Sequence, residues 1–414
     1  MKYHSARPCH QHSSRFLTIG SRGRVLGQHR TPLYYIYSGT SVVMQTACCG
    51  VMDDEARLRT FETEEQVGVV QEYYGKELQT TDDLKTSACC TAKPPSARVR
   101  ALLSQVPDEV IRKYYGCGSP FPVDIRGLRV LDLGSGSGRD CYVCAGLVGE
   151  QGYVTGVDMT KEQLEVARAH VDEYCKDKLK YAASNMRFVE GRIEDLKSAG
   201  IEDESVDLII SNCVVNLSPD KRAVLKEAYR VLAPGGEMFF SDVYCDRRLS
   251  VEAKTHPVLV GECLGGALYE QDFLRLAREA GFTDPRMYAP PEEIDVRDEA
   301  LKDILGQARF YSITYRLFKF PDGRLETLCE DYGQAVRYKG TMEGSTHACV
   351  LDDHHVFEAG KWYEVCGNTA SMVAESWMGK HFDIIGDRST HYGLFDCAAP
   401  AAAQVQPSSG GACC

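Results

Sequence analysis

From residue 127 to about 290, short continuous apolar runs alternate with longer stretches whose apolar residues recur every three or four positions. The first pattern predicts strands buried on both faces, the second amphipathic helices. RVLDL (129–133) reads as a strand, GSGSG (134–138) as a tight glycine turn, and RDCYVCAGLV as the start of the next helix. YVTGVD (153–158) follows as a strand, then TKEQLEVARAHVDEYCKDKL as one helix with Thr160 at the N-cap and Gln163 in the capping-box position. MRFVEG, VDLIISN and EMFFSDV continue the strands, and KRAVLKEAYRVLAPGG supplies a helix stopped by its glycines. FLRLAREAGFTDPRMY predicts a helix running into a strand, and RFYSITYRLFKF (309–320) alternates as a further strand. The series predicts an α/β, Rossmann-like, doubly wound parallel sheet. From about 325 to 395 only short strand-like runs remain, among them QAVRYKG, HHVFEAG and WYEVC. They predict a smaller C-terminal α+β domain without a catalytic motif.

The two ends read differently. Residues 1–44 hold six basic side chains (Lys2, Arg7, Arg15, Arg22, Arg24, Arg30) and no acidic one. That suits an organelle transit peptide, a disordered leader, or sequence upstream of a start at Met44. The longest apolar run there, Leu33 to Tyr37, is shorter than the about 7 to 15 residues of a secretory h-region. The tail AAPAAAQVQPSSGGACC is of low complexity and predicts a flexible segment. The expected organisation is therefore a leader (1–44), a cysteine-bearing N-terminal arm (45–100), the α/β core (101–320), a small C-terminal domain (321–396) and a cysteine-ended tail (397–414).

Composition narrows the function classes. The 414 residues are 43% hydrophobic and 26% charged, with 47 basic against 59 acidic side chains and a formal charge of −12. That balance argues against a nucleic-acid partner and for a small substrate. No apolar run approaches the about 18 residues of a membrane span. Eighteen cysteines without a secretory signal imply a reducing compartment. The cytoplasm is expected, with organelle targeting by residues 1–44 as the alternative. Nothing in the pattern demands an oligomer, so a monomer is expected. Three cysteine pairs are adjacent, Cys48-Cys49, Cys89-Cys90 and Cys413-Cys414. Neighbouring Cα atoms lie about 3.8 Å apart, under the about 4.4 Å where relaxed disulfides begin. Adjacent thiols instead suit a soft ion, or exchange with a third thiol.

In a doubly wound sheet, ligands gather outside the carboxyl ends of the strands. Asp132, Asp158 and Cys213 fall at or near such ends. Gly134, Gly136 and Gly138 form G-x-G-x-G, which lets a backbone approach a ligand closely. Asp158 ends the second strand, where an acid accepts ribose hydroxyls, and Glu194 in GRIEDL follows the third strand, beside the expected adenine position. Together these look like the seven-stranded S-adenosylmethionine-dependent methyltransferase pattern.

The cysteine-bearing stretches are more specific. YYGKELQTTDDLKTSACC (73–90), KYYGCG (113–118), LDLGSGSGRDCYVC (131–144), TGVDMT (155–160), SNCVVNL (211–217) and GECLGGALY (261–269) closely resemble the arsenite methyltransferase family. The resemblance is strong from about residue 67 to 320 and weaker to about 395. It implies methyl transfer from S-adenosylmethionine to arsenite and methylarsenite, giving mono- and dimethylated arsenicals, with glutathione or thioredoxin as thiol reductant. Cys89, Cys117, Cys213 and Cys263 match the family's four characteristic cysteines. By the same resemblance, Cys89, Cys213 and Cys263 present three sulfurs to As(III), and Cys117 with Cys89 supports thiol-disulfide steps. Cys90 stands beside Cys89, so either sulfur of that pair can bind. The cofactor positions implied are Tyr115, Asp132, Gly134, Ser135, Gly136, Gly138, Asp158, Met159, Ile193, Glu194 and Asn212.

The residue types suit this chemistry. Trivalent arsenic is soft and prefers thiolates to carboxylates or water, and three sulfurs leave its lone pair free to attack a methyl group. Tyr114 and Tyr115 are placed either to hold a sulfonium by cation-π contact or to pack a helix end. Cys141-Tyr142-Val143-Cys144 reads as buried packing, because it lacks a second pair at zinc spacing. Cys175, Cys245, Cys329, Cys349, Cys366 and Cys397 lack partner spacing and read as structural or incidental, and His354-His355 as a loop feature rather than a ligand pair. Two other readings stay open. An ordinary small-molecule methyltransferase leaves the motif cysteines as coincidence, and a non-catalytic thiol-rich sensor leaves the cofactor pocket without purpose.

Overall fold

The computed structural model describes residues 67, 68, 70, 95–114 and 120–397. Cys89, Cys90, Tyr115, Cys117, the basic leader and the Cys413-Cys414 tail lie outside the described residues. Strands β1 (Arg129–Leu133), β2 (Tyr153–Asp158), β3 (Met186–Glu190), β4 (Val206–Asn212) and β5 (Leu232–Cys245) pair in parallel. β6 (Leu268–Tyr269) adds to the end of β5, and β7 (Arg286–Met287) and β8 (Glu292–Ile294) both pair antiparallel with β9 (Phe310–Phe318). β9 in turn runs antiparallel to β5 from Glu237–Phe318 to Cys245–Phe310. The order is β3-β2-β1-β4-β5-β9-β7, with β6 and β8 off this path. The path has the seven strands expected, and the two short additions bring the sheet to nine.

Strand order reverses between β1 and β4, where Asp132 lies opposite Ile210 and Leu133 opposite Ser211. A crevice opens at such a point because the loops leaving the two strands turn to opposite faces. Alternation along the strands sends Leu131, Leu133 and Ile209 to one apolar cluster, and Val130, Leu208 and Ile210 to the other. Helices α1 (Ala97–Leu103), α2 (Asp108–Arg112), α3 (Arg139–Val148) and α4 (Lys161–Ala169) go to the second face, with Val143, Leu147 and Leu164 fully or nearly buried. Helices α5 (Lys221–Val231) and α8 (Glu270–Ala280) cover the first through Val224, Leu225, Phe273 and Leu276. Between them, α6 (Val251–Thr255) and α7 (Pro257–Gly261) lead toward β6.

Three local expectations need correction. The helix expected over 160–179 breaks at His170 and resumes through Val171–Glu173 into a π-helical turn, Tyr174–Lys178. Thr160 holds the N-cap position but makes no side-chain cap hydrogen bond, and Gln163 Oε1 has no hydrogen-bond partner among the described residues. The glycines of APGG do not stop α5, which ends at Val231. They sit inside β5, where the register shifts between Val206 and Leu208. Gly235 takes a φ of +79°, and a Cβ on Gly236 would lie 2.8 Å from the Asp207 carbonyl.

After α9 (Glu299–Leu305) and β9, the chain forms a three-stranded sheet, β14-β11-β15, from Trp362–Val365, Gln334–Tyr338 and Phe382–Ile385. A hairpin of β12 (Ala348–Val350) and β13 (Val356–Glu358), a pair of β10 (Glu330–Asp331) with β16 (Gly393–Leu394), and α10 (Gly367–Ala374) complete it. Its apolar cluster takes in Val336, Tyr338, Phe357 and Met372, and shares Phe318 at the end of β9. Buried polar bonds tie this part to the larger sheet. Arg316 grips Glu237 with two bonds of 2.8 and 2.9 Å and donates to Leu351 O, and Trp377 Nε1 donates to Glu237 Oε1 at 3.0 Å. Among the described residues no helix is long and apolar enough to cross a membrane.

Candidate functional site

A cleft opens outside the carboxyl ends of β1, β2 and β4. Asp132, Gly134, Ser135, Gly136, Asp158, Met159, Ile193, Glu194 and Asn212 line it together with Cys213. Gly138 does not. It is the N-cap of α3 with a φ of +92°, and a Cβ there would lie 2.6 Å from the Phe188 ring. Its part is helix packing. Gly134 permits another close approach, since its Cβ would lie 2.3 Å from Val214 Cγ1. A Cβ on Gly136 would meet nothing within 4 Å, so space for a ligand lies over that residue.

Asp158 ties the turn down, accepting from Gly136 N at 2.9 Å and Thr160 N at 2.8 Å. Glu194 accepts from Ser218 Oγ at 2.6 Å. Ser135 Oγ and Gln163 Oε1 both line the cleft and are buried without a hydrogen-bond partner among the described residues. A ligand rich in hydroxyl, amino and ring-nitrogen groups would satisfy them. At the buried end stand Asp132 and Asp140. Burial first, then the Asp140 charge, pushes the Asp132 carboxyl well above the usual carboxylate range, although the Cys141 thiol donates to it at 3.2 Å. A cationic ligand would relieve that repulsion. Arg139 partly offsets it by pairing with Asp140 at 2.6 Å.

The same arginine changes the expectation for Tyr114. Its guanidinium lies 3.2 Å from the Tyr114 ring centroid, so one face of that ring is already occupied. Asn212 Nδ2 donates to the Tyr114 hydroxyl and, at 3.2 Å, to Asp140 Oδ2. Arg139, Asp140 and Gln163 were not anticipated from the sequence. The available signal was an Arg-Asp pair directly after a glycine turn, at the start of a helix.

Beside this cleft the SNCVVN and GECLGG motifs meet. Cys213 directly follows β4, and Cys263 lies two residues past α7. Both take left-handed backbone conformations, with φ of +58° and +64°. Non-glycine residues adopt that region at a cost, and such strain concentrates at functional sites. Cys213, Asp242 and Cys263 are 4%, 1% and 2% exposed, and their sulfur and carboxylate atoms all lie within 4.8 Å of one another. The glycines after Cys263 make this approach sterically feasible. A Cβ on Gly266 would lie 1.9 Å from Asn216 O, inside van der Waals contact.

Asp242 is a residue that the sequence reading passed over. The signal was an acid near the carboxyl end of the strand EMFFSDV, whose other acid, Glu237, stands at its start. Its oxygens accept from Val243 N at 2.8 Å and Asn216 N at 3.0 Å. Burial nevertheless pushes it up to about 7. Lys221, also buried, is pushed down to about 8 by loss of hydration and donates to Ser218 O at 2.9 Å. Cys213 is disulfide-bonded. The other nine described cysteines form no disulfide.

Cys141 and Cys144 are fully buried, and burial pushes both thiols well up, which fits packing. Cys329, Cys366 and Cys397 share no spacing along the chain, yet their sulfurs lie within 4.8 Å of one another.

Comparison with known proteins adds four findings. A family model described as a methyltransferase domain matches residues 125–281. An arsenite methyltransferase of Aquipseudomonas alcaligenes is 55% identical over 348 residues, covering 83% of this chain and 99% of its own length. The human arsenite methyltransferase is 44% identical over 322 residues, or 77% of this chain and 84% of that protein. Among solved structures, an arsenic(III) S-adenosylmethionine methyltransferase from Chlamydomonas reinhardtii superimposes with a TM-score of 0.71 at 64% identity, over 73% of this chain and all of the other.

Proposed function

Since this chain belongs to the arsenite methyltransferase family, we propose that Cys213 and Cys263 hold trivalent arsenic against the methyl donor in the adjoining cleft. The enzyme methylates arsenic(III) with S-adenosylmethionine. The observation that carries the site assignment is the junction of the Cys213 and Cys263 sulfurs with a cofactor cleft that Cys213 itself lines.

S-adenosylmethionine supplies the methyl group from a sulfonium centre. Asp158 offers its remaining lone pairs to the ribose hydroxyls, and Ser135 and Gln163 their unpaired oxygens, while the Asp132 end of the cleft takes the positive charge. Cys213 and Cys263 give two sulfurs, and Cys89 of the N-terminal arm the third. As each As–S bond forms, a hydroxyl of arsenite leaves as water with the thiol's proton. Asp242, poised near neutrality by burial, accepts and returns that proton. Fixing the arsenic lone pair in line with the methyl supplies much of the rate.

Attack raises arsenic formally to the pentavalent state, so two electrons must return from a thiol reductant, glutathione or thioredoxin, before a second methyl is added. The disulfide at Cys213 gives that reductant a second task, because only the free thiolate binds arsenic. Cys89 with Cys117 completes the relay, and the enzyme works as a monomer in the cytoplasm. The test is mass-resolved product analysis of purified protein given arsenite, S-adenosylmethionine and glutathione, beside a Cys213→Ser control. Mono- and dimethylated arsenic from the unaltered protein alone is expected. Equal product from both would remove Cys213 from the mechanism.

A further inference from the structure

Three cysteines with no shared spacing meet in the C-terminal part of the chain. Cys329 directly precedes β10, Cys366 is the N-cap of α10, and Cys397 follows β16. Pairing of Glu330 with Leu394 and Asp331 with Gly393 brings the first and last together, and Phe395 N donates to Cys329 O at 2.8 Å. The end of β14 delivers Cys366 to the same place, with its sulfur 3.3 Å from Thr369 Oγ1. All three sulfurs lie within 4.8 Å of one another, and all three are free thiols.

The environment suits a soft ion. Cys366 is buried and the other two are half-buried, so the cluster is enclosed on one side and reachable on the other. The Cys329 thiol hydrogen-bonds Cys366, and the guanidinium of Arg286, itself paired with Asp284 and Asp352, sets a positive charge near it. The group holds three sulfurs, and no imidazole or carboxylate joins it among the described residues. Structural zinc sites are closed by four protein ligands. A trivalent metalloid with a lone pair needs three, and thiolates are the ligands it selects.

We propose that Cys329, Cys366 and Cys397 form a second binding site for a trivalent thiophilic metalloid such as arsenite, apart from the site where methyl transfer occurs. Binding forms three As–S bonds while three waters leave, each carrying one arsenite hydroxyl and one thiol proton. No oxidant or reductant is consumed. The site holds arsenic without placing it against the cofactor cleft, and it does not depend on the roles assigned to Cys213 and Cys263.

The test uses the full chain, reduced and desalted, then incubated with arsenite without S-adenosylmethionine. Bound arsenic per chain is counted by elemental mass spectrometry and its sulfur coordination read by arsenic K-edge absorption. In a Cys213→Ser/Cys263→Ser background, adding Cys366→Ser should remove close to one equivalent of three-sulfur arsenic. Cys397→Ser, at a half-exposed position that spares the core, should do the same. Cys366→Ser in the unaltered chain should leave the rate of methylation within about twofold. Bound arsenic unchanged by both Cys366→Ser and Cys397→Ser would overturn the proposal. So would a stoichiometric zinc that depends on these cysteines and that arsenite fails to displace. A Cys366-dependent equivalent in a protein that methylates nothing would leave this site standing while the methylation reading fell.

Discussion

The Cys263 thiol donates to the carbonyl oxygen of Cys213 at 3.0 Å, across fifty residues of sequence. Both residues hold left-handed backbone conformations, Cys213 just past β4 and Cys263 just past α7. Asn216 adds to the clamp, with Nδ2 donating to Val243 O and its backbone N to Asp242. The two sulfurs are therefore positioned before any arsenic arrives, and once the Cys213 disulfide is reduced the ordering cost falls on folding rather than on binding.

Cys213→Ser and Cys263→Ser should each reduce arsenite methylation by at least about a hundredfold, because a hydroxyl is a poor ligand for trivalent arsenic. S-adenosylmethionine affinity should stay within a few-fold of the unaltered protein. Product analysis and calorimetric titration of the cofactor check the two halves separately. Retained turnover would show that neither sulfur is a ligand.

Gly266→Ala should behave like loss of the thiol pair although it removes no sulfur. The added methyl group would overlap Asn216 O and push the GECLGG loop away from SNCVVN. We expect a loss of stability of about 1 to 3 kcal/mol from this overpacking, with arsenite binding weakened and cofactor binding intact. Wild-type arsenite affinity in a folded Gly266→Ala protein would mean that the loops tolerate separation.

Asp158→Ala should weaken S-adenosylmethionine binding by about 1 to 3 kcal/mol, the range for a buried hydrogen-bonded group that leaves its partners unpaired. Gly136 N and Thr160 N lose their acceptor in the same variant, so the glycine turn should also loosen. Calorimetry gives the affinity, and hydrogen exchange at residues 134–138 reports the turn. An unchanged dissociation constant would place the ribose elsewhere.

Cofactor binding should release protons. Burial, and then Asp140, hold the Asp132 carboxyl well above its usual value. A bound cation favours the ionised form, so the carboxyl loses its proton on binding. Affinity should therefore be full at high pH and fall as pH drops through the raised value, where each binding event must expel a proton. Titrations in buffers of different ionisation enthalpy measure the release directly. Asp132→Asn should abolish it, and a proton count unaffected by that change would assign the effect to another group.

The fold was largely legible in the sequence. Continuous apolar runs such as VDLII, separated by amphipathic helices, leave few arrangements besides a doubly wound sheet, because each run must be covered on both faces. The cofactor cleft was legible for the same reason, since Gly134, Gly136 and Asp158 lie at strand ends that the pattern itself marks. Less was readable at the ends of α4 and α5. A helix pattern persisted through the break at His170, and Gly235-Gly236 looked like a stop signal although tertiary pairing uses them for a bulge in β5.

By itself, then, the sequence determined what depends on neighbours along the chain: the strand and helix series, the glycine turn, the acid ending β2, and the cysteines set in recognisable motifs. The tertiary structure decided which distant side chains share a space. Asp242 joins Cys213 and Cys263 only because β5 lies beside β4 and Gly266 lets the last loop close. Cys329, Cys366 and Cys397 meet only because β10 pairs with β16 where β14 ends. Local patterning sets the conformation of a segment, but convergence of side chains far apart in sequence depends on strand order and loop contacts that no short stretch encodes.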